Sequence, residues 1–194
     1  MKKLKIGSLF SGYGGLDLAV MNFLDAEVVW HSEFDKAPSA ILEHHYPATP
    51  NFGDVSKVDF TQVEKVDILT GGFPCQDLSS AGKMAGLQDG TRSGLWIHFA
   101  RAIQELQPKL VIIENVRGLL NAKADNGVEY AQEDLDVIAG RQPVRAMGIV
   151  CGDLADIGYD AKWCGIRAAD AGAPHNRFRV FIVAYPSNAK HDGT

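Results

Sequence analysis

The chain has 194 residues, 46% of them hydrophobic and 22% charged, which suits one folded domain with a substantial core and excludes wholesale disorder. Three cysteines, odd in number and widely spaced, make no disulfide framework and fit a reducing compartment, while no apolar run approaches membrane-spanning length. The formal net charge of -5 excludes a uniformly basic surface, and Met1-Lys2-Lys3 is followed by neither the apolar core nor the cleavage pattern of a secretory signal.

Residues 4–10 predict a first strand. The turn Phe10-Ser11-Gly12-Tyr13-Gly14-Gly15 follows it, and Leu16, Ala19, Val20, Phe23 and Leu24 then recur at helical spacing on one face. Strand, glycine turn and helix form a nucleotide-type cradle, although the glycines do not match the G-x-G-x-x-G dinucleotide fingerprint. Residues 27–30 predict a second strand ending before Glu33, and residues 37–45 a short helix closed by Tyr46-Pro47. Glu33 is thus a carboxylate roughly 20 residues past the glycines at a strand end, where the ribose hydroxyls of an adenosine are bound. Asp54, after Asn51-Phe52-Gly53, is placed to accept from an adenine amino group.

Residues 66–69 read as a buried strand, and Gly71-Gly72-Phe73-Pro74-Cys75-Gln76-Asp77-Leu78-Ser79 turns sharply after it. That puts a thiol at the carboxyl edge of a sheet, where open α/β sheets bind ligands. By position alone Cys75 is equally a small buried residue. Residues 110–113 decide the matter, because this second buried strand delivers Glu114-Asn115-Val116 to the same edge, so that a carboxyl group can face the thiol. Between the two, residues 76–93 form a polar, glycine-punctuated loop with Lys83 and Arg92, of the kind that closes over a substrate, and Leu95, Phe99, Ala102, Ile103 and Leu106 share a helix face.

Residues 121–143 are polar and without period, a surface excursion; residues 144–157 predict a helix, and residues 159–166 and 179–184 the last strands. Alternating strands and helices argue an α/β fold with a mostly parallel sheet. In Arg177-Phe178-Arg179 strand geometry turns both guanidinium groups to one side and the ring to the core. Cys151 and Cys164 read as small core residues, the six histidines have no metal-ligand spacing with the cysteines, and no metal site is expected. Residues 187–194 read as a polar tail or the start of a linker.

The glycine turn, Pro74-Cys75, Glu114-Asn115-Val116 and Arg177-Phe178-Arg179, in this order and at these spacings, resemble the C5-cytosine-specific DNA methyltransferase family over essentially the whole chain. The resemblance implies a Rossmann-like fold with helices on both faces of the sheet, and S-adenosylmethionine as cofactor. It implies cofactor contacts from Phe10, Glu33, Phe34, Asp54, Val55, Pro74 and Leu95, with Ser11, Gly12, Gly14, Gly15 and Leu16 in the surrounding turn. Cys75 would add to C6 of a flipped-out cytosine in duplex DNA, Glu114 would hydrogen-bond N3 and the 4-amino group, and Arg179, with Arg177, would hold the base carbonyl and order the catalytic loop. His175 stands where the family usually has glutamine.

The same resemblance makes residues 1–186 the catalytic domain and implies a target-recognition domain that these residues do not contain, so that the chain is expected to be a subunit completed by a second polypeptide, the product of a truncated gene or a cut fragment. The expected setting is the cytoplasm of a bacterium or archaeon, or a virus-infected cell, beside restriction-modification systems. Three other readings are a methyltransferase for cytosine in transfer RNA, a catalytically silent fragment or subunit, and a nicotinamide-dependent oxidoreductase, the last disfavoured by the glycine spacing and Pro74-Cys75.

Overall fold

The computed structural model describes residues 2–74, 95–121 and 146–189. Cys75, the loop at 76–93, nearly all of the excursion at 121–143 and the end of the tail lie outside the described residues. Six strands, β1 (Leu4–Leu9), β2 (Ala26–Ser32), β3 (Ile68–Gly71), β4 (Leu110–Val116), β5 (Tyr159–Arg167) and β6 (Phe178–Pro186), form one sheet in the order β2-β1-β3-β4-β6-β5. β2, β1, β3 and β4 run parallel, whereas β6 is antiparallel to both of its neighbours. The mostly parallel sheet is therefore as expected, with one reversed strand wedged near its far edge. β3 begins and ends two residues later than the apolar run suggests, because Val66 packs into the core before the strand pairs.

Helices flank the sheet on both faces. α3 (Leu95–Leu106) and α5 (Ala146–Asp156) cover one, where Leu9, Leu69, Val111, Ile113, Val180, Ile182 and Ala184 meet Phe99, Ile103, Val150 and Leu154. α1 (Gly15–Phe23) covers the other over Ile6, Ala26, Val28 and Ile68 through Val20. α2 (Lys36–His45) sets Leu42 and the following Tyr46 against Gly14, and α4 (Gly118–Asn121) is a single turn beyond β4. The α1 face differs from the predicted one: Phe23 is 88% exposed, and the inward residues are Asp17, Val20, Met21 and Leu24. Their i, i+3, i+4, i+7 spacing is a helix face that a purely apolar reading misses, because its first member is a carboxylate.

On a parallel sheet all carboxyl ends share one edge, and the strand order reverses between β1 and β3. Crevices open at such reversals. The reversed β6 brings its amino end, with Arg179, to the same edge beside the end of β4. Cys164 departs from its expectation: on the outermost strand it is exposed rather than part of the core.

Candidate active site

A cleft of about 410 Å³ opens at that edge, lined by Phe10, Ser32, Glu33, Phe34, Asp35, Gly53, Asp54, Val55, Gly72, Pro74 and Leu95. All seven residues expected to contact a cofactor lie on its walls. Ser11, Gly12, Gly14, Gly15 and Leu16 do not; they form the turn behind it. Gly14 sits at φ 81° as the residue before α1, a left-handed conformation that costs a side-chain-bearing residue, so the chain can turn from β1 into the helix here. Phe10 adopts φ 51° without being glycine, a strained backbone at the cleft wall.

Glu33 is held from two sides. Its carboxylate accepts from the Gly12 N–H at 2.7 Å and the Asp35 N–H at 2.8 Å, which leaves further lone pairs on both oxygens. Its own N–H donates to Asn51 Oδ1 at 2.9 Å, and Asn51 Nδ2 returns a hydrogen bond to the Glu33 carbonyl at 3.1 Å. Ser32 Oγ donates to the Gly53 carbonyl at 2.8 Å, fixing the turn that carries Asp54 to the end of β2. The Asp54 carboxylate caps a three-residue 3-10 turn (Val55–Lys57), accepting from the Ser56 hydroxyl and N–H, with Lys57 at 3.4 Å; the Ser56 hydroxyl above all lowers its pKa. Ser32, Asp35, Gly53 and Gly72 were not expected from the sequence to line the site. Each adjoins or lies next but one to a residue that was.

Beyond the cleft the same edge carries Glu114 and Arg179. A side chain on Gly72 would come within 3.1 Å of both the carbonyl and the carboxylate of Glu114, so glycine lets the turn after β3 lie this close without displacing Glu114. Glu114 Oε1 lies 2.5 Å from Arg179 Nε, an ion pair without hydrogen-bond alignment, in which both side chains stay partly exposed. Arg179 Nη1 also donates to the Phe178 carbonyl. Asn115, only 3% exposed, donates from Nδ2 to the Phe73 carbonyl at 2.9 Å and accepts from the Val116 N–H at 2.8 Å. That ties the Gly72-Phe73-Pro74 turn to the strand bearing Glu114, one residue before Cys75.

Arg177 is not brought into this group. It is exposed and precedes β6, and its N–H donates to His175 Nδ1 at 3.4 Å. The ring of Phe178 packs against the core as expected.

Beneath the glycine turn lies a buried carboxylate that the sequence reading passed over. Asp17 accepts from Ser8 Oγ at 2.7 Å and from Thr70 Oγ1 at 2.5 Å, joining α1 to β1 and β3. Burial pushes its pKa up to about 6 against the lowering effect of the Thr70 and Ser8 hydroxyls. A charged residue inside an otherwise apolar helix face is the signal that would have marked it.

The family model for the C-5 cytosine-specific DNA methylase matches residues 4–192. The chain is 32% identical over 186 residues to the orphan methyltransferase M.SPRI of Bacillus phage SPR, covering 94% of this chain and 38% of that protein. It is 33% identical over 180 residues to the type II methyltransferase M.NgoBI of Neisseria gonorrhoeae, covering 93% and 50%. The chain thus spans half or less of the length of these curated relatives. The Dnmt2 methyltransferase of S. pombe superposes with a TM-score of 0.70 at 18% identity, over 95% of this chain and 51% of that one, and so shares the fold. By its sequence over nearly its full length, and with the sheet and helix layers such a fold requires, the chain belongs to the C-5 cytosine-specific DNA methylase family.

Proposed function

We propose that this chain is the catalytic part of an S-adenosylmethionine-dependent enzyme that methylates C5 of cytosine in duplex DNA, through a covalent bond between Cys75 and C6 of a flipped-out base. One observation carries the reading: a carboxylate-lined cleft and the Glu114–Arg179 pair adjoin at one sheet edge, where Gly72 lines the one and lies against Glu114 of the other.

The cleft suits this cofactor. Its volume lies in the range of small-molecule sites. Among the described residues its lining has three carboxylates, Glu33, Asp35 and Asp54, two aromatic rings and no Lys or Arg, which matches a ligand carrying hydroxyls, an amine and a sulfonium rather than phosphates. Glu33 would hold the ribose hydroxyls with the lone pairs its two amide contacts leave free, and Phe10 and Phe34 would flank the adenine. The cofactor supplies an electrophilic methyl group.

The chain's own residues supply the rest. A thiolate at Cys75 would bond to C6 and move electron density to C5, which would take the methyl group as its bond to the sulfonium sulfur breaks; loss of the C5 proton to water would then restore the ring and expel the thiolate. A free thiol, of pKa about 8.5, is only a few per cent ionised at neutral pH, so this step needs a local positive field. Glu114 meets N3 and the 4-amino group, and Arg179 meets the base carbonyl, the two having been held together at the site before the base arrives. Residues 1–186 form this catalytic domain, with a linker beginning at 187; a target-recognition domain completes it. No helix among the described residues is long and apolar enough to cross a membrane, and the relatives named above come from a phage and a bacterium. Both fit a cytoplasmic enzyme.

The direct test is calorimetric titration with S-adenosylhomocysteine. Glu33→Ala removes a charge-assisted hydrogen bond and lowers affinity about ten-fold or more. Unchanged affinity in a folded variant removes Glu33 from the site. In a transfer assay with a recognition partner present, methylation of transfer RNA but not of duplex DNA would replace the substrate.

A further inference from the structure

We propose that Arg101, on α3 and outside the cleft, is the positioning residue that sets the Asp54–Val55 wall and with it the affinity for the adenosine end of the cofactor. The inference rests on the cofactor reading above. The wall belongs to a 3-10 turn of three residues whose closing hydrogen bond, from the Val58 N–H to the Val55 carbonyl, is long at 3.4 Å. So short a turn leaves carbonyls without internal partners and holds itself weakly.

Arg101 supplies what the turn lacks. Its Nη2 donates to the Val55 carbonyl at 3.1 Å and the Val58 carbonyl at 3.0 Å, spanning the turn from end to end. The guanidinium lies 5.3 Å from the centroid of the fully buried Phe60 ring, and Glu105, one helical turn on, stands 4.0 Å from its Nε. A planar group that bridges two acceptors while stacked on a ring is a task for arginine rather than lysine.

The helix that carries it makes the arrangement consequential. Leu95, the first residue of α3, lines the same cleft, and Arg101 follows six residues later, about 9 Å along the axis. One rigid element therefore fixes both a wall of the cleft and the turn that forms another. Arg101 is not among the residues that line the cleft; it acts through the Asp54–Val55 turn.

The experiment is a double-mutant cycle read by calorimetry, with S-adenosylhomocysteine and free adenosine as probes and a thermal melt for each variant. Arg101→Met weakens both probes about ten-fold, because the loss falls on the adenosine end. Arg101→Lys keeps the charge and most of the packing but cannot bridge and stack together, and weakens both about three-fold or more. The Arg101→Met/Asp54→Ala double variant loses no more than its worse single parent, since both changes spoil one wall. Affinity within about two-fold of wild type in the folded variants, or losses that multiply in the double, overturns the role of Arg101. A wild-type chain that binds neither probe overturns instead the cofactor reading on which the role rests.

Discussion

Asp17 makes stability depend on pH in a direction opposite to most carboxylates. Its pKa is raised from 3.8 to about 6 in the folded chain, so between those values the folded state holds a proton that the unfolded state has released. Stability from this group is full below about pH 4 and falls as pH rises through 6, by on the order of 3 kcal/mol. Asp17→Asn carries no such penalty and can still bond Ser8 and Thr70. The stability of the variant relative to wild type should therefore grow by about that amount between pH 4 and pH 8, as measured by urea unfolding at each pH. A difference that stays flat across this range would show that Asp17 is not a buried ionising group. The sequence could not disclose this arrangement, because Ser8 and Thr70 lie on two strands whose adjacency to α1 exists only after folding. Glu33 was legible for the opposite reason, since its place at a strand end is set by local sequence alone.

At the scale of elements, α3 is the hub that joins the core to the edge. Phe99 is fully buried in it and meets Phe10 at 6.3 Å, Phe73 at 6.2 Å and Trp96 at 5.8 Å, so one ring supports residues of both the cleft and the turn before Cys75. Phe99→Ala should cost about 3–5 kcal/mol in chemical unfolding, the range for emptying a well-packed aromatic site. A loss under about 1 kcal/mol would mean the site collapses freely and supports little. The strands themselves were legible as short apolar runs, and the helices as periodic ones. The reversal of β6 was not drawn from the sequence, although the chain between β5 and β6 contains only a short 3-10 turn (Ala168–Ala171). A connection without a crossover helix cannot return the chain to run parallel, so the length and composition of that link carried the answer. Arg177 was placed in the strand because the alternation of Arg177-Phe178-Arg179 is real, yet pairing with β5 begins at Phe178.

The described residues hold the cleft and the carboxylate–arginine pair, and the charge of the chain as a whole does not favour a duplex. Its net charge is -5, whereas phosphate contacts by Lys and Arg supply most of the affinity for DNA, and it spans half or less of its named relatives. Flipping a base costs a few kcal/mol that contacts around it must offset. The chain alone should thus give no sequence-specific methylation of mixed-sequence duplex in a radiolabelled transfer assay, and gain it when a recognition partner is added. Robust methylation of a single site by the 194-residue chain alone would place recognition within it. The central claim is the covalent step, and it is tested by incubating the chain, a recognition partner and cofactor with duplex containing 5-fluorocytosine opposite a mismatch, where flipping costs least. Fluorine at C5 blocks the release of the thiol. Wild type should give a protein–DNA band that survives denaturing electrophoresis and Cys75→Ser none; the same band from Cys75→Ser would contradict the mechanism.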